Sequence, residues 1–265
     1  VPPARPVIPR IIHQFWVGGP VPDHLAAFME TWRAHHPDWE HRLWGDDDFR
    51  GWLRNQDLFD RADEIAPGSG NQMRSDIARY EVLHRFGGVY VDADFECLRP
   101  VDPLCGVEFW TAWEMDGRWV NMAIAGSVPE HPLLEELIAR LPANVEAHKG
   151  RRPNWLTGPR FLTPILRRHP SVTVHPASMF YPYQWHELDR QGEHFPDAWA
   201  VHHWNNARTN PVMAPLAKEG RMKKPPYQDV WRDGRLVRKG RRECAQRFAD
   251  IAQRVGDIRT LIDVG

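Results

Sequence analysis

The stretch "GGVYVDADFECL", residues 87–98, decides how the rest of the chain reads. Val, Tyr and Ala make residues 89–95 look like a buried strand, yet Asp92 and Asp94 fall two residues apart inside it. Side chains alternate along a strand, so Tyr90, Asp92 and Asp94 share one face while Val89, Val91 and Ala93 take the other. The two carboxylates become neighbours, with Cα atoms roughly 6.5–7 Å apart. Unpaired at the end of a core strand they would repel and titrate upward, a penalty that a bound divalent cation removes. In an open α/β sheet, ligands gather at the carboxyl ends of strands, where a metal bridging a diphosphate would lie.

The preceding run, "NQMRSDIARYEVLHRFGG" (71–88), places Met73, Ile77, Tyr80, Leu83 and Phe86 at helical spacing, with Gly87–Gly88 as a left-handed stop. Asp76 and Arg79 are three residues apart on one face of that helix, which can look toward the same cleft. The plainer alternative is a surface ion pair worth a few tenths of a kcal/mol.

Further out, "IPRIIHQFWVGG" (8–19) reads as a first strand. Residues 23–35 read as a helix with Asp23 as N-cap after Pro22, and "EHRLWGDDD" as a short second strand. "EFWTAWE" and "NMAIAGS" give two more strands, "HPLLEELIARL" a helix and "AWAVHHW" a late strand. Helices and strands alternate without repeats, which predicts an α/β sheet with helices on both faces.

Composition sets the outer bounds. With 265 residues the chain can bury a sizeable core, and its net charge of −1 gives no argument for nucleic acid. Thirteen Trp suggest stacking surfaces, although most of these rings serve as core or groove filler. Cys97, Cys105 and Cys244 form no CxxC pair, which argues against a disulfide framework or a structural zinc site. "VPPARPVIPR" has no apolar h-region, and no run approaches the ~18 apolar residues of a membrane span, so the expected location is cytoplasmic.

From about residue 216 the character changes. Residues 218–247 hold eleven Lys or Arg against four acids, with a hairpin expected at "WRDGRLV" around Asp233–Gly234 and a terminal amphipathic helix after it. The expected organisation is one domain over 1–215 and a basic extension over 216–265 packed on it. That extension offers a peripheral membrane contact, or else a solvated face.

"SDIARYEVLHRFGGVYVDADFECLRPVDPL" (75–104) resembles the DXD-containing sugar-transfer region of glycosyltransferase family 32, a group related to fungal initiating mannosyltransferases and to large clostridial glucosylating toxins. The likeness extends in order to "IPRIIHQFWVGG", "TGPRFLT" (157–163) and "AVHHW" (200–204), about the first 205 residues. It implies a GT-A fold, a Rossmann-like nucleotide-binding sheet with flanking helices. By the same resemblance Trp16 stacks on the donor base, and Asp76 and Arg79 hold the donor sugar. Asp94 is the direct metal ligand, and Asp92 reaches the sugar or ribose and touches the metal through water. Tyr90 faces the cleft. One of His202 and His203 is a further metal ligand, and Trp204 contacts the diphosphate. The sequence departs from fungal relatives in "HHWNNART", where Asn205 and Asn206 replace a Ser-Trp pair.

The implied chemistry is metal-dependent, retaining transfer of a hexose from a nucleotide sugar. A UDP-sugar is favoured over GDP-mannose, and Mn²⁺ over Mg²⁺ because Asp and His ligate together. The acceptor is a glycan, a lipid-linked sugar or a small molecule. Glu114 and Asp116 are candidates for a base or acceptor contact. Asn121 on the donor side and Trp155 in the "WLTGP" loop are further candidates. A phosphatase reading fails because its Asp-x-Asp belongs on the first strand, with Thr or Val where Glu96 stands. The rival that keeps the Trp-rich groove is a non-catalytic carbohydrate- or nucleotide-binding module.

Overall fold

The computed structural model describes residues 8–45, 47–205, 228–232 and 235–239. Asn206, the boundary at 215/216, the terminal helix and the packing of the basic extension lie outside the described residues.

Strands β1 (Ile11–Phe15), β2 (Glu40–Trp44), β3 (Gly88–Val91), β5 (Phe109–Met115), β6 (Trp119–Ser127) and β7 (Thr173–His175) form one sheet in the order β2-β1-β3-β6-β5-β7. β1 runs parallel to β2 and β3, β6 is antiparallel to β3 and β5, and β7 is parallel to β5, so the sheet is mixed. The carboxyl ends of β1, β3 and β5 therefore meet at one edge, beside the start of β6. Helices α1 (Asp23–His35), α4 (Gly70–Phe86), α5 (Pro132–Ala147) and the short α2 (Gln56–Asp60), α3 (Ala62–Ile65), α6 (Pro153–Leu156) and α7 (Pro159–Leu166) surround it. Among the described residues no helix is long and apolar enough to cross a membrane.

Two apolar layers cover the two faces. One contains Phe15, Ile77, Leu83, Tyr90, Leu137 and Leu162; the other contains Ile12, Trp32, Val91, Phe95, Trp110 and Tyr181. The second face is closed partly by α1 and partly by a small ribbon, β4 (Phe95–Cys97) antiparallel to β8 (Ala200–His202). β9 (Gln228–Arg232) and β10 (Arg235–Lys239) pair antiparallel, as expected for strands flanking Asp233–Gly234.

The α4–β3 junction explains its two glycines. Gly87 and Gly88 have φ of 63° and 87°, and a Cβ at Gly88 would stand 2.6 Å from the Ile11 carbonyl oxygen. Both conformation and close approach demand glycine. Gly87 has ψ of −151°, so the stop is an extended positive-φ turn and not the left-handed helical cap expected.

Three local expectations are corrected. β3 ends at Val91, because the Asp92 N–H bonds Ala123 O at 2.8 Å and the Phe95 N–H bonds Asp92 O at 3.1 Å, closing a turn over Asp92–Asp94. The chain then leaves the main sheet to pair with β8. Pro22, not Asp23, stands at the N-cap of α1, where no side chain caps. The late strand stops at His202, since Trp204 takes a φ of 54° that breaks the alternation.

Candidate active site

The turn after β3 is built from both sides. Asp92 is reached from α4: Arg79 Nη2 lies 3.0 Å from Asp92 Oδ1, and Ser75 Oγ lies 3.5 Å from the same oxygen. Asp94 is reached from the end of β8. Its Oδ1 is 3.0 Å from His202 Nε2, its Oδ2 accepts the Asn205 N–H at 2.7 Å, and its backbone oxygen accepts the His203 N–H at 2.9 Å.

One ligand atom from each of Asp92, Asp94 and His202 lies within 4.8 Å of the others, and this oxygen–nitrogen set fits a divalent cation. His202 Nδ1 is buried without a hydrogen-bond partner among the described residues. Its ring is oriented instead by aromatic packing, with Trp204, Phe95 and Tyr181 centroids at 4.3, 4.6 and 5.5 Å.

Burial pushes the Asp92 carboxyl up, with the Asp94 charge adding to it and Arg79 opposing it. Burial also acts against ionised Asp94, but His202 and the Asn205 N–H outweigh it and hold Asp94 below the usual carboxylate range. The two acids are thus driven apart, with Asp94 the more acidic and the better anionic ligand.

Behind them lies a buried network. Arg79 and Asp76 are only 4% and 5% exposed, so the surface-pair alternative does not describe them. Arg79 Nη1 stands 3.3 Å from Asp76 Oδ1, Nη2 donates to Ser75 Oγ at 2.9 Å, and the guanidinium lies 5.1 Å from the centre of the Tyr90 ring. Thr157 Oγ1 donates to Asp76 Oδ2 at 2.7 Å, and Tyr80 donates its hydroxyl to Thr157 O at 2.6 Å. The "TGP" loop thereby braces α4.

The other candidates are placed as follows. Trp16 follows the end of β1, half-buried, with its indole N–H lacking a partner among the described residues. Two residues beyond the His13–Tyr90 pair stand Phe15 at the end of β1 and Asp92 just past the end of β3, which puts Trp16 at the same edge. Tyr90 is corrected from a cleft residue to a core one: it is 1% exposed, and its hydroxyl meets Ser75 Oγ at 2.9 Å. His203 turns away from the turn, with Nε2 2.9 Å from Glu96 Oε2, Nδ1 3.1 Å from the Tyr183 hydroxyl and the ring stacked on Phe28 at 4.3 Å. Trp204 is buried and donates its N–H to Tyr183 O at 3.0 Å, so it supports His202 and offers no donor to a diphosphate.

Asn121 donates to Glu114 Oε2 at 2.9 Å and accepts the Ala123 N–H at 2.9 Å. Burial raises Glu114, against the Asn121 hydrogen bond and the nearby His202. Asp116 accepts the Ala177 N–H at 2.8 Å, at the start of the short 3-10 turn Ala177–Met179. Trp155 is half-buried in α6, against Arg160 at 4.3 Å. Sequence reasoning missed Ser75 and Thr157, although both stand in runs quoted for the resemblance.

Residues 22–110 match the model of a glycosyltransferase sugar-binding region containing a DXD motif. The chain is 34% identical to inositol phosphoceramide mannosyltransferase 2 of Schizosaccharomyces pombe over 167 residues, 63% of this chain and 45% of that protein. It is 28% identical to a mannosyl phosphorylinositol ceramide synthase of Saccharomyces cerevisiae, over 63% of this chain and 44% of that one. It spans less than half the length of both. Among solved structures the PaToxG glycosyltransferase superposes with a TM-score of 0.51 at 16% identity, over 62% of this chain and 70% of that one. That likeness is one of fold, and the fold is the GT-A type.

Proposed function

We infer, from a chain that carries the DXD-containing sugar-binding region of a glycosyltransferase, that this protein moves a hexose from a nucleotide-diphosphate sugar to an acceptor hydroxyl. The observation that carries the reading is the meeting of Asp92, Asp94 and His202 at the carboxyl edge of the sheet, with Arg79 behind Asp92. Asp94 and His202 would hold Mn²⁺, with Mg²⁺ as the second choice, and Asp92 would reach it through water. When bound, such an ion neutralises charge growing on the departing diphosphate.

The chain's own residues do the rest. Arg79, held by Asp76 and Ser75, fixes the Asp92 carboxylate, and two backbone N–H groups fix the Asp94 turn, so little reorganisation is left for the reaction. Trp16 offers its half-exposed ring as a stacking face for the base. Asp76 and Arg79 serve the donor side by holding Asp92 from behind, and Glu114 is the carboxylate assigned to the acceptor side. Transfer with retention suits this arrangement: the acceptor hydroxyl attacks from the face the diphosphate leaves, and a diphosphate oxygen takes its proton. The mannosyl-transferring names of the relatives move GDP-mannose ahead of the UDP-sugars as the first donor to try.

Calorimetric titration with GDP, UDP, GDP-mannose and UDP-glucose, in Mn²⁺ and then with a chelator, tests the reading. Binding of one nucleotide that disappears on chelation is the expected result. Binding of none in Mn²⁺ overturns the reading, and binding that survives chelation overturns its metal dependence. Turnover of the bound sugar separates a transferase from a module that only binds.

A further inference from the structure

Of the three groups that meet at the turn, Asp92 is held from outside by Arg79 and Asp94 by the Asn205 N–H. His202 is not held in that way. Its Nε2 meets Asp94 Oδ1 at 3.0 Å, and its Nδ1 is buried without a hydrogen-bond partner among the described residues. A histidine that ligates a metal ordinarily donates its second ring N–H to a carbonyl, a carboxylate or water, which fixes the plane of the ring. Here three aromatic rings take the place of that acceptor. Trp204 and Tyr181 cross the imidazole plane at 73° and 74°, and Phe95 lies tilted against it at 35°.

The three rings come from different places. Phe95 opens β4 and Trp204 follows β8, so both belong to the ribbon that carries His202 itself. Tyr181 comes from the connection between β7 and β8, two residues past the 3-10 turn Ala177–Met179. That connection is fastened to the ribbon by the His202 N–H on Phe180 O at 3.2 Å and the Trp199 N–H on Met179 O at 2.8 Å. It is fastened to the main sheet as well. The Tyr181 hydroxyl donates to Asn121 O at 3.2 Å, and Gln184 Nε2 donates to Glu114 O at 2.7 Å. Tyr181 is 2% exposed, with the Phe95 and Trp204 centroids at 5.5 and 5.7 Å. Of the three it is the ring whose own side chain bonds the main sheet.

We propose that Tyr181 is a positioning residue for the metal: its ring, anchored to β6 through Asn121, holds the His202 imidazole in the plane from which it ligates beside Asp94. The packed ring does the positioning and the hydroxyl bond seats it. Tyr181 itself touches neither metal nor sugar in this role. The same bonds join the metal turn to the Asn121–Glu114 pair, so the two sides of the cleft share one support. The assignment rests on the metal-dependent transfer reading above, to which it adds the group that orients the histidine.

The test uses the full chain with Mn²⁺ alone as the probe, the free ion being counted by electron paramagnetic resonance, and then Mn²⁺ with GDP or UDP. Titrations compare the parent with Tyr181→Leu, which removes the ring, and Tyr181→Phe, which removes only the hydroxyl. Phe109→Leu is the control for stability, since it removes a buried ring at the far end of β5, beside His131. Metal-free melts of all four proteins report stability separately. The expected result is Mn²⁺ binding weakened about tenfold or more in Tyr181→Leu, within about threefold of the parent in Tyr181→Phe, and unchanged in Phe109→Leu. Tyr181→Met fills the same space without a planar ring and should lose nearly as much as Tyr181→Leu, which keeps the test decisive if the leucine variant does not fold. Parental Mn²⁺ affinity in both ring-deleted variants, or an equal loss in Phe109→Leu, overturns the assignment. So does a loss in Tyr181→Phe as large as in Tyr181→Leu, which would place the effect in the hydroxyl bond and not in the ring. A parent that binds no Mn²⁺, with or without nucleotide, overturns the metal reading, and the assignment falls with it. Mn²⁺ binding that depends on the Tyr181 ring, in a protein whose nucleotide affinity is the same without Mn²⁺, leaves the assignment standing and overturns the metal dependence of donor binding instead.

Discussion

Arg79 Nη2 stands 3.0 Å from Asp92 Oδ1 while its Nη1 stands 3.3 Å from Asp76 Oδ1, so one buried guanidinium joins helix α4 to the first carboxylate of the site. The arrangement couples stability to function. Removing the guanidinium leaves Asp76, 7% exposed at its side chain, with an uncompensated charge. Arg79→Ala should cost about 3–5 kcal/mol, the usual penalty for breaking a buried pair from one side. Arg79→Lys should recover only part of it, since a single ammonium cannot reach Asp76, Asp92 and Ser75 together. Denaturant unfolding checks this, and a loss below about 1 kcal/mol in Arg79→Ala would show that the pair does not hold the cleft together.

Asp76 gives the network a pH signature. Burial raises its carboxyl from 3.8 to about 6, against the charge of Arg79 and the hydrogen bond from Thr157. Between those values the folded protein keeps a proton that the unfolded chain has released. The contribution to stability is complete below about pH 4 and is lost as pH rises through about 6, by roughly 3 kcal/mol in all. Asp76→Asn cannot titrate, so the stability difference between parent and variant should shift against the parent across that window. Parallel stability curves from pH 4 to 7 would contradict the assignment.

The adjacent histidines should separate cleanly. His202 meets Asp94, whereas His203 is spent on Glu96, Tyr183 and Phe28. His202→Ala should abolish the stabilisation that Mn²⁺ gives the parent, while His203→Ala should lower the melting temperature and leave the Mn²⁺ increment in place. The reverse pattern would move the metal site to His203.

Some of this was legible in the sequence and some was not, for physical reasons. Helix α4 could be read because Met73, Ile77, Tyr80 and Leu83 repeat at helical spacing, and all four are buried. Asp92 and Asp94 do meet, but in the turn after β3 and not by alternation along a strand running to 95, because the end of β3 depends on where Ala123 of another strand offers its carbonyl. The choice between His202 and His203 stayed open because β8 has only three residues and Trp204 breaks its alternation with a positive φ. Thr157 was invisible as a site residue because its partner, Asp76, lies 81 positions away. Helices α6 and α7, of four and eight residues and each opened by Pro, are too short for periodicity to reveal.

Asp94→Asn offers the sharpest separation of fold from function. The amide keeps an oxygen for the Asn205 N–H, which now meets Oδ2 at 2.7 Å, so the link from the turn to the end of β8 survives. What is lost is one negative charge, and with it both the ion pair to His202, where the amide NH₂ can instead donate to a neutral imidazole Nε2, and the repulsion that helps raise Asp92. Without metal, Asp94→Asn should therefore stay within about 1 kcal/mol of the parent, since an isosteric change that keeps a buried hydrogen bond costs little. With metal the two should part. A neutral amide is a poor ligand for a divalent cation beside an imidazole, so the Mn²⁺-induced rise in melting temperature and the Mn²⁺-dependent nucleotide affinity should both disappear. Asp94→Ala should lose the metal response and also about 1–3 kcal/mol, because the Asn205 N–H is left without its acceptor. Thermal melts of the three proteins with and without Mn²⁺ decide the matter: a full metal response in Asp94→Asn would remove Asp94 from the metal site and leave it a structural cap on the β8 end.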